Sequence, residues 1–263
     1  MDPTALQLAF LAVAGVAAGI LGSAGGITSL IAYPALLAVG IPPFSANLTN
    51  SIALLGSGLG SSLGSRPELR AHGETHGAAH GGTLRRWIPV AVIGAAAGAL
   101  LLLATPPGVF AWIVPFLVAA AGILLLVQPL ITRWHTARDR PVGTLAIAAA
   151  ILGVTIYDGY FGAGSGVLMI AVVLILIDHD LARANALKNV ILFVADLLPA
   201  VLFALIGPVA WAAVLPLGLG ALVGGLIGPR LMRRAPRTPV RIAIAVLALG
   251  LAAWLLIRAV TVP

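Results

Sequence analysis

The feature that most limits this chain is a recurrence. Apolar runs close to bilayer-crossing length follow one another from end to end, separated by short polar or Gly/Pro-rich connectors. They lie near 4–22, 26–40, 44–64, 87–104, 110–131, 142–158, 166–178, 183–206, 209–229 and 240–260. A hydrocarbon core about 30 Å thick takes roughly 20 apolar residues per spanning helix, and backbone within it must satisfy its own hydrogen bonds. The expectation is an all-α polytopic membrane protein of about ten transmembrane segments, with no residues left for a soluble domain. Composition agrees, because 60% of residues are hydrophobic, 9% are charged and the mean hydropathy is +1.11. A water-soluble globule of this size cannot cover so much apolar surface. The second and seventh runs, which begin after GSAGG (22–26) and GAGSG (162–166), are short for a full crossing and are expected to be broken or re-entrant.

Arginine placement orients the segments. Arg66, Arg70, Arg85 and Arg86 follow the third run, Arg133, Arg138 and Arg140 the fifth, and Arg230, Arg233, Arg234, Arg237 and Arg241 the ninth. These loops share one side of a ten-segment arrangement, whereas the connectors near 40–45, 105–109 and 207–208 hold no lysine or arginine. The positive-inside rule makes the arginine-rich side cytoplasmic and puts both termini outside. The start, MDPTALQLAF, has no basic n-region and reads as a retained first span. A net charge of +7 spread over short loops, without a basic face interleaved with aromatics, argues against a nucleic-acid partner. The absence of cysteine excludes disulfides, thiol catalysis and cysteine-held metals.

The chain also repeats itself. GILGSAGG (19–26) aligns with GYFGAGSG (159–166), and ANLTNSI (46–52) with ANALKNV (184–190). Each pair holds the same place in a five-segment unit. An odd number of segments inverts the second unit, and basic and bare loops exchange places between the units accordingly. The expected organisation is therefore a first five-segment repeat over 1–131, a cytoplasmic linker over 132–141 and a second, inverted repeat over 142–263. Inverted repeats are a mark of secondary transporters, in which discontinuous helices frame a central site.

Within this frame a few residues can carry chemistry. Gly22, Gly25 and Gly26, with Gly164, Ser165 and Gly166, allow non-helical backbone and close approach of a ligand. The half-helix that starts after each break presents N–H groups and the positive end of its dipole, which favours an anion; close packing of helices through small residues is the alternative. Asn47, Thr49, Asn50 and Ser51 in one half, with Asn185, Lys188 and Asn189 in the other, offer clustered polar groups; helix capping is the alternative. Lys188 is the only lysine and supplies a fixed positive charge unless it snorkels to the membrane edge. Asp196, eight residues on, lies about 12 Å further along the axis and about 80° around it, too far for a direct ion pair. Near the middle of its run, it is a candidate proton-coupling residue.

Other polar groups carry less weight. His72, His76 and His80 are each followed by glycine, so the stretch reads as a flexible cytoplasmic loop and not as a helical metal face. Asp158, Asp178, Asp180 and Arg183 stand at run ends, where interfacial charge is ordinary. No metal site and no cofactor are expected.

The paired glycine breaks, the ANLTNS of the first half and the ALKN of the second, in a chain of this length with basic inner loops, resemble the sulfite exporter TauE/SafE family, also called TSUP. The resemblance implies a bacterial inner-membrane transporter that exports sulfite, thiosulfate or an organosulfonate such as sulfoacetate, coupled to an ion gradient. It implies Asn47, Thr49, Asn50 and Ser51 beside Asn185, Lys188 and Asn189 as the anion-facing residues; with two inverted halves, rocking of one against the other would alternate access. The second half has Leu187 where Thr49 stands in the first, so the two half-sites are not equivalent. A passive anion channel and an intramembrane enzyme acting on lipid phosphate or peptide are the alternatives, and a homodimer is left open. The second alternative is weakened by the lack of histidine, glutamate and arginine in the deep parts of the runs.

Overall fold

The computed structural model describes residues 4–65, 73–134, 143–178, 180–232 and 237–261. They are helical with short connectors: α1 Ala5–Gly25, α2 Ser29–Ala38, α3 Pro43–Ala53, α4 Leu55–Gly64, α5 Gly73–Ala104, α6 Pro107–Trp134, α7 Thr144–Tyr160, α8 Ser165–Leu176, α9 Leu181–Ile206, α10 Trp211–Met232 and α11 Arg237–Thr261. Local chemistry sets the starts. Thr4 and Gln7 form a capping box at α1, Pro43 occupies the first turn of α3, and the Asp180 carboxylate accepts the Arg183 N–H at α9.

Among the described residues, five stretches are long and apolar enough to cross a membrane: Ala5–Ser23, Gly82–Ala104, Pro107–Val127, Leu181–Ile206 and Trp211–Leu231. Shorter apolar helices accompany them at Ser29–Ala38, Thr144–Tyr160, Ser165–Leu176 and Ile242–Arg258. Large apolar side chains such as Leu6, Ile93, Phe116, Leu145, Leu205 and Leu247 point outward, as a lipid-facing surface requires. The chain is a multi-pass membrane protein. At 10 and 12 residues, α2 and α8 rise only about 15 and 18 Å, too short to cross alone.

Two expectations are corrected. The run 44–64 is not one helix but two, α3 and α4, which meet at Leu54 (φ −73°, ψ −7°); three glycines in the first six residues of α4 weaken helical continuity there. The stretch expected to be a flexible loop around His76 and His80 is instead the first part of α5. Adding turns to an existing 32-residue helix avoids the cost of nucleation, and this outweighs the glycines that argued for a loop. His72 lies outside the described residues.

Packing runs through glycine seams. Gly15 and Gly19 of α1 face Leu217 and Ala221 of α10, and Gly220 and Gly224 of α10 face Ala12 and Val16 of α1. A β-carbon on any of these four glycines would stand within 2.3 Å of a facing carbonyl oxygen. Gly98 of α5 and Gly159 of α7 meet Ile156 and Ala95 in the same way, each leaving 2.0 Å for a β-carbon. Helices in lipid gain little from mutual apolar burial and associate through such close backbone contact. The α4 helix joins α10, α9 joins α5, and α11 joins α6.

Candidate functional site

The two glycine breaks meet at the centre. Gly26 ends α1 in the left-handed region at φ +68°, and Gly162 and Gly164 lead into α8 at φ +76° and +81°. Gly26 and Gly166 touch backbone to backbone: a β-carbon on Gly166 would lie 2.4 Å from the Gly26 Cα, and one on Gly26 would lie 2.4 Å from the Gly166 carbonyl carbon. The first turns of α2 and α8 therefore start beside each other.

A cavity of about 80 Å³ opens at this junction. Thr28 and Ser29 from the start of α2, and Ser165 and Gly166 from the start of α8, line it, so the positive ends of two half-helices converge there. Ser57 and Ser61 of α4 form another wall, and Lys188, Asn189, Phe193 and Asp196 of α9 a third. Behind the second break, Phe161 packs edge-on against Tyr33, and Phe110 packs against Phe44 and Phe161.

Lys188 is 3% exposed and does not snorkel to the surface. Its Nζ donates to the Gly22 carbonyl at 3.3 Å, its one hydrogen bond among the described residues. No ion pair joins it to Asp196, as the spacing required, yet both line the same cavity. The charge acting on Lys188 is that of Asp158. Asp158 is the residue that the sequence reading missed. It lines the cavity together with Asp196 and Ser165, and its Oδ2 is buried without a partner. Its position at the end of an apolar run suggested an interfacial charge; because a glycine break follows it, that end abuts the central cavity. A usable signal was its placement four residues before GAGSG.

Of the other predicted residues, Gly22, Gly26, Ser165, Gly166 and Asn189 line the cavity. The rest lie outside its lining. Asn185 and Asn189 donate to the Ser23 carbonyl at 2.9 and 3.3 Å, and Asn189 also donates to Ser65 at 3.0 Å. In the other half, Asn47 donates to the Tyr160 carbonyl at 3.0 Å and Asn50 to the Ser29 hydroxyl at 3.2 Å. Asn47, Asn185 and Asn189 thus satisfy carbonyls left open where the other half's helix breaks, whereas Asn50 stays within its own half. Ser51 bonds back to the Asn47 carbonyl, and Thr49 accepts the Ala210 N–H at 3.0 Å, away from the cavity. Gly25 and Gly164 shape the breaks without lining the space.

The model for the family described as sulfite exporter TauE/SafE matches residues 9–255. The chain belongs to that family. A relative from Haemophilus influenzae, named a probable membrane transporter protein, is 27% identical over 237 residues, covering 89% of this chain and 88% of the relative. The probable membrane transporter protein ORF9 of a Sinorhizobium species is 30% identical over 229 residues, covering 85% and 82%. The probable membrane transporter protein YfcA of Escherichia coli is 26% identical over 252 residues, covering 95% and 90%. No solved structure matches the chain. As a TauE/SafE member with these relatives, it is a membrane transporter.

Proposed function

We propose that the chain is a secondary carrier that exports a small sulfur-containing oxyanion, such as sulfite, thiosulfate or an organosulfonate like sulfoacetate, across the bacterial inner membrane. One observation carries this reading: a buried lysine and the N-terminal ends of two half-helices share one small cavity where two glycine breaks touch. Lys188 supplies the fixed positive charge, and the half-helix ends add partial positive charge without a counter-ion of their own. The family description supports the sulfur oxyanion and the outward direction.

The architecture proposed with it is two inverted five-segment repeats. The helix pairings support an exchange of the two halves. Replacing each run by the one five places along turns α1 against α10 into α7 against α5, α4 against α10 into α9 against α5, and α2 against α11 into α8 against α6, and all six contacts exist. The strong seams join elements from different repeats. The moving bodies are accordingly α1, α4 and α10 on one side and α5, α7 and α9 on the other, in place of whole repeats rocking as units. Arginine-rich loops face the cytoplasm and both termini face outward.

The test is flux of sulfite, thiosulfate, sulfoacetate and taurine in proteoliposomes. The wild type moves at least one against an otherwise passive control, and Lys188→Ala loses that flux while its folded yield stays near normal. Undiminished flux in the variant removes lysine from the mechanism. Flux that never runs uphill under any ion gradient marks a channel.

A further inference from the structure

The cavity holds more negative charge than an anion site needs. Its ionisable lining groups are Lys188, Asp158 and Asp196; the remaining walls contribute serines and Thr28, Asn189, glycines and apolar groups. Tyr157 is the other titratable group on which the Asp158 charge acts; it is an uncharged phenol whose hydroxyl donates to the Ala163 carbonyl at 2.6 Å. With both carboxyls ionised, two negative charges meet one lysine and two half-helix ends worth roughly +0.5 each, a sum near zero that offers an oxyanion no net attraction. One proton on the pair leaves about one positive charge. The geometry has a place for that proton, because Asp158 and Asp196 line the same cavity of about 80 Å³, and two carboxyl groups brought together there can bond only if one proton lies between them. Lys188, 3% exposed and donating once, keeps two N–H groups for a ligand.

We propose that Asp158 and Asp196 form a shared-proton pair that makes the cavity competent for the anion, so that one proton crosses with each anion in the same direction. This inference rests on the carrier reading above and assigns its coupling ion. Efflux then runs whenever the outward anion gradient exceeds the opposing proton gradient. Sodium is the rival occupant of a carboxylate pair beside broken helices. It would need both carboxylates ionised, and a dependence on sodium separates the two occupants.

The experiment uses the full chain in proteoliposomes with an internal pH dye and thiosulfate, whose conjugate acid is too strong to carry protons itself. The measured quantity is protons moved per thiosulfate. Wild type is expected to give about one, in the direction of thiosulfate flow and unchanged when sodium replaces potassium. Asp158→Asn and Asp196→Asn should each lower the ratio at least tenfold, the double variant no further, and Asp158→Glu should restore most of it. Thiosulfate movement with no proton, with a proton in the opposite direction, or with a sodium requirement overturns the proposal and leaves the carrier reading standing. So does an unchanged ratio in both Asn variants. No movement of any panel anion in the wild type sinks both.

Discussion

Replacing Gly166 by alanine puts a methyl group into the contact between the two breaks. Its β-carbon would stand 2.4 Å from the Gly26 Cα and 2.9 Å from the Gly26 carbonyl oxygen, where ordinary contact begins at 3.4 Å. The overlap is about 1 Å and the neighbours are backbone, so no side chain can rotate away. Overpacking of this kind costs about 1–3 kcal/mol. Gly26→Ala meets the same wall at 2.4 Å and also places a β-carbon at φ +68°, which adds about 1–2 kcal/mol. At about 2–4 °C per kcal/mol for a chain of this size, melting should fall roughly 2–12 °C for Gly166→Ala and roughly 4–20 °C for Gly26→Ala. Tryptophan fluorescence during heating in detergent reads the shift, since the chain has five tryptophans and no cysteine for thiol dyes. Gly108→Ala, with nothing within 4 Å, is the control and should not move. The double variant Gly26→Ala, Gly166→Ala should lose less than the sum, because the first methyl already parts the contact. A Gly166→Ala protein that melts with the control refutes the touching breaks, and with them the shared origin of the two half-helices.

Other outcomes follow from the same geometry. Asn47→Ala leaves the Tyr160 carbonyl without its donor and should cost about 1–3 kcal/mol in melting, with Asn47→Asp failing to restore it because a carboxylate cannot donate. Thr49→Val removes an acceptor for the Ala210 N–H and should lower stability while leaving the affinity for the transported anion unchanged; a weakened affinity would return Thr49 to the site. Cysteines introduced at Ala137 and Gly108 into this cysteine-free chain should react with an impermeant maleimide from opposite sides of the membrane, Ala137 from the cytoplasm. Reaction of both from one side breaks the assigned topology.

Much of this was legible in the residues, for identifiable reasons. Apolar runs and glycine breaks are imposed locally, by bilayer thickness and by the need for unusual backbone, so they are visible without a fold. Lys188 stood out because a lone lysine in a run is expensive. Thr49 could have been set aside: at 100° per residue it lies about 200° around the helix from Asn47, whereas Asn50 and Ser51 fall within about 60° of it. Asp158 was hidden by a rule that holds for helices ending at the membrane surface and fails for one that ends at an internal break. The division of the third run at Leu54 and the reach of α5 back to Gly73 both turn on glycine's low helix propensity, which breaks the helix in the first case and is outweighed by the low cost of extending an existing helix in the second.

The seam between α1 and α10 has a consequence for how the chain is made. Gly15 and Gly19 find their partners at Leu217 and Ala221, which emerge about 200 residues later. At roughly 5–20 residues per second, the first helix waits about 10–40 s in the bilayer with its glycine face uncovered. During that interval any other small-faced helix is a competing neighbour. Truncated products that end before residue 211 are therefore expected to be degraded or captured by the insertion machinery, and a ribosome pause early in the chain should matter less to yield than one between α9 and α10.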